Sequence, residues 1–220
     1  MSKKNRERRE ENLKSQSPNP SRLQSGLNPK PLLSTVCCLL IIIVAPIITY
    51  WNSLEGEFHF DDYHAIVENP NIKTFDRAIG LRTRFVTDVS LAIDYSLGKL
   101  DTKYYHAQQI FWHIVNCVLI FFILRLTLKR LNMIELFIPF STALLFAVHP
   151  LNSEPVNYLI QRSMVLGTSF YLASLLFFIL AFSLSRSMLC FAGCFISFIL
   201  AIFTKETFAT LPIVLLFYYI

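Results

Sequence analysis

The sequence predicts an all-α polytopic membrane bundle of about six spans, with interfacial amphipathic helices in its first extracytoplasmic loop. Three observations carry that prediction. Hydrophobic residues fill 54% of 220 positions and charged residues only 16%, against about 25% charged in an ordinary soluble domain. Several apolar runs approach the roughly 20 residues that cross a hydrocarbon core as a helix. Basic residues gather at alternate ends of those runs, the pattern of cytoplasmic loops.

The first span reads Leu32–Trp51 and ends on Tyr50-Trp51, an aromatic pair suited to a membrane interface. Pro46 is placed to kink it. Residues 1–31 carry eight Lys/Arg against Glu7, Glu10 and Glu11, and Ser15 to Pro31 is polar and proline-bearing. That composition predicts a disordered, basic, cytoplasmic tail ahead of a membrane domain over 32–220. Beside a span, such charge reads as a topology signal and not as a nucleic-acid arm. A cleavable signal peptide is not predicted, since the basic region is too long and no small-residue cleavage site follows the run.

Residues 52–107 make a polar loop holding nine Asp/Glu and six Lys/Arg, without the cytoplasmic excess of positive charge. Within it EFHFDD reads as extended chain, which would aim adjacent carboxylates to opposite sides and oppose their clasping one ion. Ile72, Phe75 and Ile79 recur at helical spacing, as do Val86, Val89, Ile93, Leu97 and Leu100. Two amphipathic helices on the membrane surface follow from this; a small cap packed on itself is the alternative.

Further spans read Gln108–Leu128, Met133–Val148, Ser163–Leu184 and Ser187–Phe203, with a sixth from Thr207 still apolar at Ile220. Simple alternation puts the tail, the 125–130 basic cluster and Arg186 on one side, which the positive-inside tendency makes cytoplasmic. Residues 52–107, 149–162 and 204–206 then share the opposite side. All five cysteines fall in apolar runs, where they behave as small hydrophobes and give no zinc or disulfide pattern.

Two polar constellations stand out. Asp61-Asp62, His149 with Glu154 and Arg162, and Lys205-Glu206 emerge on the same extracytoplasmic face. Ionisable groups at membrane depth are expensive and usually functional. A carboxylate there can take a proton from a hydroxyl, and an Arg or Lys can hold a phosphate. The bland alternative is that each charge sits solvated at a helix end. The second constellation, His106, Gln109, His113 and Asn116, makes one helical stripe. A polar stripe inside a span faces protein or water, which favours interhelical hydrogen bonds over metal ligation.

The order of four motifs resembles the transmembrane and tetratricopeptide-repeat O-mannosyltransferase-like proteins, within the GT-C class of membrane glycosyltransferases. They are F-x-F-D-D-x-x-x-I-x-x-N over Phe58–Asn69, Y-H-x-x-Q-x-x-x-H-x-x-N over Tyr105–Asn116, the run from Ala143 through H-P-x-x-x-E-x-V-x-Y to Arg162, and Lys205-Glu206 followed by Pro212. The resemblance covers about residues 47–220. It implies a catalytic acid in the first extracytoplasmic loop, the place of Asp61 and Asp62, with Asp61 favoured as the base toward an acceptor hydroxyl. It implies a polyprenyl-phosphate sugar as donor and a protein or glycan as acceptor, at a bacterial inner membrane or the endoplasmic reticulum. Arg162 and Lys205 then serve the donor phosphate. His149, Glu154, Glu206, His106 and His113 are supporting residues, Glu206 by orienting Lys205.

The sequence points to no definite cofactor, and a divalent cation is left open. Enzymes of this class carry more spans than fit in 220 residues, so the chain is expected to be part of a larger unit. A non-catalytic membrane scaffold and a lipid-carrier or transporter protein are the rival readings.

Overall fold

The computed structural model describes residues 29–80, 82–183 and 187–220. Residues 1–28 of the basic tail and Arg186 therefore lie outside the described residues, while 29–31, expected to be disordered, belong to the first helix. The chain divides into two units, Met1–Cys37 and Cys38–Ile220. Of the first, only the opening turns of the first helix are described, and everything below concerns the second.

Every regular element is helical, and no strand occurs among the described residues. The first helix, α1, is Pro29–Thr49, with Pro46 inside its last turn. Three helical segments are long and apolar enough to cross a membrane: Leu32–Thr49, Thr102–Arg130 and Leu159–Ala181. Three apolar helices are shorter, Phe137–Val148, Met188–Thr204 and Glu206–Tyr219.

After α1 the chain makes a 3₁₀ turn at Trp51–Glu55 and a π-helical turn at Tyr63–Val67. Asp61 and Asp62 open that second turn in helical conformation, so the extended reading of this stretch does not hold. The Asp62 N–H donates to the His59 carbonyl and the Tyr63 N–H to the Phe60 carbonyl, which closes the turn. Helix α2, Phe75–Ala78, is only one turn long, because the chain leaves helical geometry at Ile79 just before Gly80. Helix α3, Phe85–Gly98, is bounded by Arg84 at φ 67° and Lys99 at φ 56°. Both have positive φ, Arg84 in the left-handed helical region, and a right-handed helix cannot continue through either.

The loop packs on itself as well as presenting apolar surface. Ile66, Ile72, Ala78, Leu91, Ala92, Tyr105 and Leu159 form one buried cluster. Phe75, Ile79, Ile93, Leu97 and Leu100 remain exposed. The buried face of α3 is therefore Val86, Ser90, Leu91 and Asp94, rotated from the Val86, Val89, Ile93, Leu97 stripe that hydrophobicity alone selects.

Helix α4, Thr102–Arg130, begins where Asp101 Oδ1 accepts from the Lys103 N–H at 3.1 Å, a side-chain cap for an orphan donor. It ends on Lys129 and Arg130, which suit the negative end of the helix dipole. Asn132 at φ 59° turns the chain back. That turn shortens the third apolar run to α5, Phe137–Val148. A short α6, Ser153–Asn157, leads to α7, Arg162–Ala181, then α8, Ser187–Thr204, and α9, Leu211–Tyr219.

Helices α4, α5 and α1 meet around Ile42, Cys117, Phe121, Ala143 and Ala147. Ser174 of α7 donates to the Cys194 carbonyl of α8 at 2.8 Å, so Cys194 is packed between helices. On α7, a Cβ at Gly167 would come within 2.1 Å of Phe208. The missing side chain lets the segment after Lys205 lie flush on α7.

Candidate active site

Site geometry begins at the doublet turn. Asp62 is buried at 1% exposure. Its Oδ2 accepts from the His59 N–H at 3.1 Å and its Oδ1 from the Ile160 N–H at 2.7 Å. Burial pushes the Asp62 carboxyl up from its ordinary value, and the two backbone donors oppose that shift. Asp62 thus ties the first loop to the turn before α7, 98 positions further along the chain.

Asp61 has the opposite environment. Its side chain is exposed, while its backbone N–H donates to Tyr158 Oη at 3.3 Å. Phe60 before it sits at φ 44° and is largely exposed, a conformation that a bulky residue adopts only when its surroundings hold it there. Beside Asp61 lies a cleft of about 460 Å³ lined by His59, Phe60, Ser153, Glu154, Asn157 and Tyr158. Ser53 donates to Asn157 Oδ1 at 2.5 Å, fixing one wall to the end of the first span.

His149 and Glu154 are both exposed on this side. His149 Nδ1 accepts from the Leu151 N–H at 3.2 Å and so caps the 150–152 turn. Glu154 Oε1 accepts from Gln161 at 3.3 Å. Of the predicted residues, the structure brings together the doublet and the 149–161 segment.

Arg162 is completely buried. Nε donates to Gln109 Oε1 at 2.6 Å, Nη1 to Ser90 Oγ at 3.0 Å and to Gln108 Oε1, and Nη2 to Asp94 Oδ2 and the Tyr105 carbonyl, each at 2.8 Å. All five N–H groups of a guanidinium are thereby committed. The expected phosphate contact has no donor left on this side chain. Its counter-ion Asp94 is 1% exposed. Burial pushes the Asp94 carboxyl up to about 6, with Arg162 pulling against that rise. Asp94 does not stand out in the sequence as a site residue. The available signal was Val86, Ser90 and Asp94 at four-residue intervals, one face carrying a lone acid inside an apolar stretch.

Lys205 and Glu206 join a different part of the loop. Thr87 Oγ1 donates to the Thr204 carbonyl at 3.2 Å, and Glu206 pairs with Arg84 at 3.7 Å across an exposed surface. Glu206 thus orients Arg84 and not Lys205. The ammonium of Lys205 has no hydrogen bond or ion pair among the described residues. Thr87 lies three residues before Ser90, so the Thr204 carbonyl and the Arg162 guanidinium are both hydrogen-bonded to α3.

The stripe on α4 behaves as a bundle seam. Gln109 donates to the Pro155 carbonyl at 2.6 Å, His113 Nε2 lies 3.1 Å from the Ala147 carbonyl, and Asn116 donates to the Val165 carbonyl at 3.0 Å. Ser169 completes it, donating to Asn116 Oδ1 at 2.7 Å. His106 differs: both ring nitrogens are buried without a partner, and a Cβ on Gly56 would reach 2.9 Å from Nε2. No cluster of three or more His, Cys, Asp or Glu able to hold a metal occurs among the described residues.

Long apolar helices, a polar seam between them and an acidic turn outside them define an integral membrane protein with an extramembrane polar site. The chain is 33% identical over 63% of its length to a protein O-mannosyl-transferase of Caenorhabditis elegans, covering 22% of that protein. It is 32% identical over 63% of its length to protein O-mannosyl-transferase TMTC3 of Mus musculus, covering 16% of it. It is 29% identical over 66% of its length to TMTC1 of Homo sapiens, covering 17%. The relatives of this chain are thus named protein O-mannosyl-transferases, in keeping with the resemblance that the four motifs carry, and the chain spans about a fifth of their length. No family model and no solved structure matches it.

Proposed function

We propose that this chain forms the acid-bearing part of a membrane glycosyltransferase that moves a sugar, mannose by likeness to its named relatives, from a polyprenyl-phosphate carrier to a hydroxyl of a protein or glycan acceptor. In this reading the transfer takes place on the extracytoplasmic face, which the basic cluster at the end of α4 supports.

One observation carries the reading. Asp61 keeps its side chain exposed next to the cleft residue Phe60, while Tyr158 Oη accepts its backbone N–H and the adjacent Asp62 is tied to Ile160. Of the two acids, Asp61 is free to meet a substrate and Asp62 is occupied. In the proposed reaction Asp61 accepts the proton of the acceptor hydroxyl, whose oxygen bonds to the anomeric carbon. The bond from that carbon to the carrier phosphate breaks, and the phosphate departs with the electron pair. A phosphate is already a good leaving group, so a cation assists it better than a general acid would. Lys205 has the uncommitted ammonium for that task, whereas Arg162 supports the site from inside the protein.

The test is transfer from a radiolabelled polyprenyl-phosphate mannose in membranes expressing the full-length protein. Label appearing on an acceptor protein or glycan supports the reading. Saturable donor binding with no turnover favours a lipid carrier, and neither binding nor transfer favours a scaffold.

A further inference from the structure

We propose that the buried Asp94–Arg162 pair is a positioning element for the transfer reaction: it locks the start of α7 so that the turn at Leu159–Gln161 holds Asp62, and through it Asp61, at the cleft. The proposal rests on the reading of Asp61 given above. Its physical basis is independent of that reading.

Arg162 is the first residue of α7. A cation there opposes the helix dipole, whose positive end lies at the N-terminus. The residue therefore does nothing for the helix as such. It fastens the helix start to two others: Ser90 and Asp94 on α3, and Tyr105, Gln108 and Gln109 on α4. Gln109 is shared, since its amide nitrogen holds the Pro155 carbonyl of α6. One guanidinium thus fixes three helices and, through Gln109, a fourth.

What it fixes is the backbone that touches the doublet. Ile160, two residues before Arg162, gives its N–H to Asp62 at 2.7 Å. Tyr158, four residues before, takes the Asp61 N–H at 3.3 Å. Leu159 between them is fully buried in the cluster with Leu91, Ala92 and Tyr105. A guanidinium serves because its donors form a rigid planar fork. A residue merely filling this space would not pin the turn in angle. Misplacement of a reacting group by about 1 Å costs on the order of 100-fold in rate.

The experiment compares Asp94→Asn and Asp94→Glu with the parent in the full-length protein reconstituted in lipid nanodiscs. Two quantities are read: steady-state transfer, and deuterium uptake of backbone amides at 158–162 against those inside α4 at 112–122. Asn keeps the size and one acceptor but removes the charge; Glu restores it. The expected result for Asn is faster exchange at 158–162 with α4 unchanged, and kcat lower by about 100-fold with both KM values within about twofold. Glu recovers part of both. Unchanged exchange at 158–162 in Asp94→Asn overturns the proposal. Loss of protection through α4 in both variants also overturns it, because the pair would then be a condition of folding and not of position. If the parent transfers nothing, the transferase reading fails, while the exchange data still decide the positioning role.

Discussion

Asp62 and Ile160 are 98 positions apart in sequence, and the carboxylate of one accepts the backbone N–H of the other at 2.7 Å. This bond, with the Asp61–Tyr158 contact, joins the turn after the first span to the turn before α7. Neighbouring acids have unlike surroundings as a result: Asp62 is buried and spent on backbone donors, while Asp61 stays exposed.

Removing the buried acid tests that division. Asp62→Ala leaves the N–H groups of His59 and Ile160 without their acceptor, which costs about 1–3 kcal/mol for each such group where it stays buried. Thermal unfolding in detergent should show a lower midpoint, and limited proteolysis should find new cleavage near residue 60. Asp61→Ala should leave both unchanged.

The Arg162 cluster predicts a non-additive pair. Replacing Asp94 alone by Leu strands a buried cation and should destabilise the protein by about 3–5 kcal/mol. Replacing Asp94 and Arg162 together by Leu and Met removes both charges, so the double variant should lose less stability than the two single losses summed. Denaturation in mixed micelles, run as a four-member cycle, reads the difference.

Gly167 sets the seat of the Lys205 segment. A Cβ there meets Phe208 at 2.1 Å, well inside van der Waals contact, so Gly167→Ala should displace the 206–210 turn at a cost of about 1–3 kcal/mol. Phe208→Ala in the same chain should relieve it. If Gly167→Ala alone is silent in thermal unfolding, the segment is not pressed on α7.

Lys205 carries the proposed contact to the carrier phosphate. Hydrogen bonds to charged groups contribute about 1.5–3 kcal/mol, or roughly 10- to 100-fold in affinity at 1.4 kcal/mol per decade. Lys205→Ala should raise the KM for polyprenyl-phosphate mannose by that factor and leave acceptor KM alone. Equal donor KM in variant and parent would remove Lys205 from the site.

Much of the fold is legible in the residues, for stated reasons. Long apolar runs bounded by Lys129 and Arg130 or by Tyr50-Trp51 mark helices, because only a helix satisfies its own backbone in lipid. The stripe His106, Gln109, His113, Asn116 reads as protein-facing by the same logic, and three of the four bind carbonyls of other segments. What sequence alone misplaced is instructive. The buried side of α3 carries Ser90 and Asp94, polar residues that a hydrophobicity count sends to solvent, because their partner Arg162 lies 68 positions beyond Asp94. Arg162 itself looks like a phosphate ligand in a motif, yet only the fold shows every N–H already occupied. The doublet reads as extended from its aromatic flanks, while a local bond from His59 to the Asp62 carboxylate helps hold a turn.

The most direct measurement is the pair of isosteric acid variants in the same transfer assay. Asp61→Asn and Asp62→Asn are expressed in the full-length protein, matched for amount and for thermal midpoint, and supplied with radiolabelled polyprenyl-phosphate mannose. A missing general base lowers rate by about 10²- to 10⁴-fold. The account predicts a loss of that size for Asp61→Asn with donor binding intact, and a smaller loss for Asp62→Asn that follows its stability. Full transfer by Asp61→Asn would contradict it.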